Sequence, residues 1–142
     1  MARVIAETRD ATEVRRNWSA FIDTVVHEAR PVVVKRNRDL FAAMPLDLLR
    51  GVLESYQLTL TPQREADRSW TGAFEEIDLV GSAPSLAELK ESLARDLIDY
   101  AQEYWQNFEL YSRSPNRRDH LPYVLRVLLQ PDVEHVVSWI HA

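Results

Sequence analysis

The sequence predicts an α+β protein built from two small domains, and three observations lead there. Stretches with 3.6-residue apolar periodicity alternate with short runs that are β-branched or alternate every second residue. Proline or glycine stands at most of the changeovers. Charge is also divided unequally along the chain. The first 54 residues carry nine basic and eight acidic side chains, a net +1, which leaves −6 on the remaining 88. That asymmetry suits an anion at the N-terminal half and a basic partner at the C-terminal half. A length of 142 residues allows two small domains, and the boundaries are set at 1–54 and 55–142.

Composition removes several classes of function. With 46% hydrophobic and 27% charged residues the chain is globular rather than disordered. It has no cysteine, so disulfides, thiolate metal sites and cysteine nucleophiles are excluded together. No apolar run approaches the ~20 residues of a membrane span, and the start lacks the pattern of a signal peptide. A soluble, cytoplasmic protein without membrane contact is expected.

In order along the chain, Arg3 to Ala6 reads as a short strand, interrupted by Thr8-Arg9-Asp10. A helix follows, with Thr12 as N-cap or Asp10-x-x-Glu13 as an alternative capping pattern. Val14, Trp18, Phe21, Ile22, Val25, Val26 and Ala29 form its apolar stripe, and Pro31 ends it. Val32 to Val34 is strand-like. Lys35 to Asp39 is a polar turn, Leu40 to Met44 the returning arm of a hairpin, and Pro45 opens a short helix. In the second half, Leu58 and Leu60 alternate with polar residues, 62–72 reads as a loop, and Ala73 to Val80 alternates again. Ser85-x-x-Glu88 is a capping box. The helix behind it carries Leu86, Leu89, Leu93, Leu97, Tyr100, Ala101, Tyr104 and Phe108 on one stripe. A last helix is expected after Pro131.

The first 54 residues carry a pattern of their own: Thr12, Glu13, Arg15, Asn17, Trp18 and Ser19 at the front of the helix, then Pro31, Val32, Val33, Val34 and Arg36. In order and spacing this resembles the DNA-binding domain of Phd/YefM antitoxins, from type II toxin–antitoxin systems of prokaryotes. Two positions depart from that pattern, Val14 where a small residue is usual and Asn37-Arg38-Asp39 where the turn usually holds a glycine. The resemblance implies a homodimer or higher oligomer, with paired sheets and helices as its core and a basic surface on operator DNA. Trp18, Phe21, Ile22 and Val25 agree with that, being more apolar surface than about 50 residues cover alone. With Val14 they are the expected dimer core. The 75–100 stretch, EEIDLVGSAPSLAELKESLARDLIDY, has a weaker similarity to HicB-like antitoxin domains.

On this basis the expected DNA-binding residues are Arg3, Arg9, Arg15, Arg16, Asn17, Lys35, Arg36 and Arg38. Arg15 and Arg16 are placed against the dipole if they lie near a helix N-terminus, which a bound phosphate would reverse; a solvated helix face is the plain alternative. Trp105 falls off the apolar stripe and, with Tyr111, is assigned to the partner, since aromatics are enriched at interfaces. His135 and His141 are six apart, and His27 and His120 lack carboxylates at ligand spacing, so no metal site is expected. Neither a nucleophile–base pair nor a phosphate-cradling glycine loop is present; no enzyme activity and no cofactor are expected. The leading expectation is an antitoxin that neutralises a cognate toxin, an mRNA endonuclease, and represses its own operon. The alternative is a homodimeric ligand- or protein-binding module without DNA binding.

Overall fold

The structure is a computed structural model and describes residues 3–141. It is α+β, with two small sheets, and divides into two compact units, Met1–Val52 and Leu53–Ala142.

In the first unit the strand lies further along than expected. Residues 3–7 are irregular, and β1 is Thr8–Asp10. Its register explains the shift: β1 runs parallel to β2 (Val32–Arg36), pairing Thr8 with Val33 and Asp10 with Lys35. Asp10 then caps the helix that follows. Its carboxylate accepts the backbone N–H of Thr12 at 2.9 Å and of Glu13 at 3.3 Å, which satisfies two of the free donors at a helix start. β3 (Asp39–Ala43) returns antiparallel to β2, with Asn37 in the left-handed region (φ 54°) at the turn. Asparagine tolerates that conformation, so the hairpin closes without the glycine. α3 (Leu46–Leu53) follows.

The single expected helix is broken. α1 (Ala11–Arg16) stops at Asn17, whose N–H and Nδ2 both donate to the Glu13 carbonyl, at 3.0 and 3.2 Å. α2 (Trp18–Ile22) restarts there and passes into a π-helical turn, Asp23–His27. Val14, Phe21 and Val25 pack with Val32 and Val34 into a small core inside the unit, Ile22 is half-buried, and Trp18 and Val26 remain exposed.

The second unit has a sheet in the order β6-β5-β4-β7. β4 (Leu58–Arg64) and β5 (Trp70–Phe74) extend into the stretch that reads as a loop, and β6 is Val80–Ala83. Cross-strand pairing carries Pro62 and Gln63 into the ladder opposite Gly72 and Thr71. The two-residue β7 (Ile140–His141) pairs parallel with β4, so the sheet is not purely antiparallel.

α4 (Leu86–Gln106) lies on this sheet. Ser85 caps it, its Oγ accepting from the Glu88 N–H at 3.2 Å and donating to the Glu88 carboxylate at 2.9 Å. Leu89, Leu93, Leu97, Ala101 and Tyr104 are fully buried on one face. Each such leucine contributes about 1.5–3 kcal/mol by burial. Gly72 and Gly81, paired across β5 and β6, let the helix approach. A Cβ on Gly72 would stand 2.8 Å from Leu60 Cδ1 and 3.1 Å from Leu89 Cδ2, and one on Gly81 would stand 3.0 Å from Leu93 Cδ2. α4 ends at Asn107 by the same device as α1: N–H and Nδ2 both donate to the carbonyl four residues back, here that of Glu103. Phe108 therefore belongs to the next helix, α5 (Phe108–Arg113), not to the α4 stripe. A 3-10 turn (Arg118–His120), α6 (Leu121–Leu128) and α7 (Val133–Ser138) complete the unit and close its core with Val124, Val127, Val136 and Trp139.

Candidate functional site

The first unit exposes its basic side chains. Arg9 is on β1, Arg15 and Arg16 end α1, Arg36 ends β2 and Arg38 is in the hairpin turn; all are exposed, and Lys35 is half-exposed. Arg3 is exposed in the irregular lead-in. Among the described residues no carboxylate comes within ion-pair distance of Arg9, Arg15, Arg16, Lys35, Arg36 or Arg38. Arg30, which the sequence reading passed over, lines one depression with Glu7, Arg9 and Pro31. Its only signal was its place just before the helix-ending proline.

Two expectations about this surface change. Arg15 and Arg16 occupy the last turn of α1, not its start. A cation is stabilised there by about 0.3–1 kcal/mol, so no bound phosphate is needed to account for them. The expected basic surface is also divided between the two faces of the sheet. Side chains alternate across a strand, so Arg36 shares the face of Val32 and Val34, which the helices cover. Arg9, in register with Val34, lies on that same face, whereas Lys35 lies on the reverse beside Asp10. Asn17 is exposed, but its amide is engaged in ending α1. Trp18 is 57% exposed, its ring resting 5.5 Å from that of Phe21. Of the expected dimer core, then, Trp18 and part of Ile22 are presented outward, and Val14, Phe21 and Val25 are used within the protomer.

In the second unit Trp105 is exposed and its ring packs edge-on against Phe108 at 5.8 Å. Tyr111 is drawn inward instead. Its hydroxyl donates to Glu103 Oε1 at 2.8 Å, its ring meets Tyr104 at 5.5 Å, and the Arg117 guanidinium lies 4.2 Å above it. The bond to the Glu103 carboxylate, helped by desolvation, raises the Tyr111 pKa above the usual tyrosine value. Phe108, expected on the buried stripe of α4, and Leu110, which the sequence did not single out, are both exposed. They line an open groove of about 650 Å³ along α5, with Pro115 and the Glu109–Arg113 ion pair.

A smaller pocket of about 230 Å³ gathers Asp78, Tyr100, Glu103, Arg117 and His120. The Tyr100 hydroxyl and His120 Nδ1 are 2.7 Å apart, and burial lowers the His120 pKa against the opposing pull of Asp78. Among the described residues no three His, Cys, Asp or Glu side chains gather in a way that could hold a metal ion. Nor, among them, is any helix long and apolar enough to cross a membrane.

Residues 5–142 match the family model for PHD-like antitoxins, described as antitoxin of toxin–antitoxin, RelE/RelB, TA system. A crystal structure from Syntrophomonas wolfei subsp. wolfei, described as the antitoxin part of a candidate toxin/antitoxin system, superposes with a TM-score of 0.92 at 37% sequence identity. The match covers 96% of this chain and 98% of that one. No curated protein matches. With nearly its whole length inside the family model, the chain belongs to this family of toxin–antitoxin antitoxins.

Proposed function

We propose that this antitoxin neutralises a toxin of the mRNA-endonuclease class through its second unit and represses its own operon by binding operator DNA, as a homodimer, through its first. The observation that carries the reading is the division of charge between two units that each have their own core. Among the described residues, the first displays Arg9, Arg15, Arg16, Lys35, Arg36 and Arg38 without a carboxylate at ion-pair distance. The second, over 53–142, carries fifteen acidic and eight basic side chains, a net −7. The Phd/YefM-type motif of residues 12–36 and the family's RelE/RelB description support the same reading. Trp18 and Val26, exposed on the helix that leads to the hairpin, supply an apolar contact for a second copy. The HicB-like similarity rests on the 75–100 stretch, which supplies β6 and the front of α4.

Co-expression tests the antitoxin half of this. The protein encoded by the adjoining gene should stop growth when induced alone. Growth should return, and the two proteins should co-purify, when this chain is supplied. A harmless neighbour that does not co-purify overturns the reading.

A second reading, a binding module without DNA, is favoured by one finding: the α1 dipole already accounts for Arg15 and Arg16. Operator binding separates the two.

A further inference from the structure

We infer that the elbow between α4 and α5 is the surface that holds the toxin, and that it selects a basic contact. Trp105, Phe108 and Leu110 form its apolar platform. The inference rests on the antitoxin reading and deepens it by naming the surface and the chemistry of its occupant.

The elbow comes from Asn107, which donates to the Glu103 carbonyl and, with φ −114° and ψ 38°, interrupts the helix between Gln106 and Phe108. Three large apolar side chains are left in water around it: Trp105 at 57% exposure, Phe108 at 40% and Leu110 at 66%. They are also held in place. Trp105 packs on Phe108, Phe108 on the fully buried Tyr104, and Tyr104 on Tyr111, which Glu103 and Arg117 fix from the other side. Rigid aromatic anchors lose little freedom on binding, and such side chains dominate the energetics of interfaces. The groove along α5 gives a protruding side chain of the partner somewhere to go.

Charge decides among occupants. Residues 96–112 hold four carboxylates, Asp96, Asp99, Glu103 and Glu109, and no lysine or arginine; the flanking Arg95 and Arg113 are engaged by Glu91 and Glu109. At 1.5 Å per residue, the furthest of them lies within ~15 Å of Trp105 along the helix. α4 has no basic residue in its last turn, so the roughly −0.5 charge of its carbonyl end is not offset there. Nucleic acid and a second copy of the same surface are both repelled. A protein that presents an apolar side chain ringed by lysine and arginine is attracted and steered in.

The test uses the full chain and, as probe, the purified protein encoded by the adjoining gene, with affinity read by isothermal titration. Trp105→Ala and Leu110→Glu should each weaken binding by more than about tenfold. Asp99→Lys should weaken it several-fold, mainly through a slower association that matters less at high salt. Val80→Glu, an exposed position on β6, should leave affinity unchanged. Circular dichroism and melting temperature should stay at wild-type values, and Leu110→Glu carries the test if Trp105→Ala proves unstable. If wild type binds and the elbow variants bind within twofold of it, the elbow is not the surface. Tighter binding by Asp99→Lys would overturn the basic partner. If wild type does not bind the probe at all, the antitoxin reading falls and this inference with it.

Discussion

Tyr100 and His120 tie α4 to the 3-10 turn ahead of α6 through one 2.7 Å bond, and the environment of His120 makes that tie sensitive to pH. Burial holds its pKa below the ordinary value, Arg117 acts in the same direction, and Asp78 and Asp119 oppose them. The unfolded chain therefore takes up the proton more readily than the folded one. The stability contributed by neutral His120 is fully present above about pH 6.5, the unfolded value, and is lost as pH falls from there through the folded pKa. The urea midpoint of wild type should drop between about pH 7.5 and 5.5 by more than that of His120→Gln. Equal drops in the two proteins would mean that His120 does not carry the effect. The same residue scale separates what the sequence could and could not reveal about Tyr111. Its aromatic character was plain, but the bond to Glu103, eight residues away, and the stacked Arg117 follow only from the elbow after α4.

At the scale of elements, apolar period marked the first helix and α4, because a stripe such as Leu89, Leu93, Leu97 and Tyr104 has few other uses; α5 and α6 were not anticipated. The breaks at Asn17 and Asn107 were not legible. Each depends on a side-chain amide reaching a carbonyl one turn back, and asparagine inside a helix does this only in some settings. β7 was out of reach for a different reason: its partner Leu58 is 82 positions away in sequence, and two residues show no period. The paired glycines of β5 and β6 show how closely sheet and helix are matched. Gly72→Ala should cost about 1–3 kcal/mol, because the new methyl meets Leu60 and Leu89 side chains and approaches the Thr61 carbonyl at 3.3 Å. Gly81→Ala should cost less, since its contacts, with Leu93 Cδ2 at 3.0 Å, Leu93 Cγ at 3.2 Å and Leu89 Cδ1 at 3.4 Å, are longer and involve no backbone atom. Denaturant unfolding of the two variants checks both the loss and its order; no loss at Gly72 would mean that the helix does not press on the sheet there.

At the scale of the whole molecule, the chain holds two cores and two surfaces of opposite character: basic side chains around the first core, carboxylates and an aromatic elbow around the second. The first surface was partly legible. Its residues could be named from the sequence, but not their division between the faces of the sheet, which follows from the β1–β2 register. The elbow was legible only in Trp105, because Phe108 reads as part of the α4 stripe until Asn107 is known to end that helix. The proposed division of labour follows from this arrangement. Changes to the basic surface should affect DNA and leave the toxin alone, and changes at the elbow should do the reverse.

The central claim is that the first unit reads DNA, and its most direct test is fluorescence anisotropy on the duplex upstream of the gene, against an unrelated duplex, at two salt concentrations. Wild type should prefer the upstream DNA. Arg36→Ala and Arg15→Ala should each bind more weakly while the dimer and the toxin complex persist. For an arginine that contacts phosphate, the loss will be nearly uniform across sequences and the salt dependence shallower by about one unit of slope. For one that reads a guanine edge, it will be ~1–3 kcal/mol and confined to one position. If wild type shows no preference for the upstream duplex and the variants bind as wild type does, the basic side chains are surface solvation and the protein does not repress its operon.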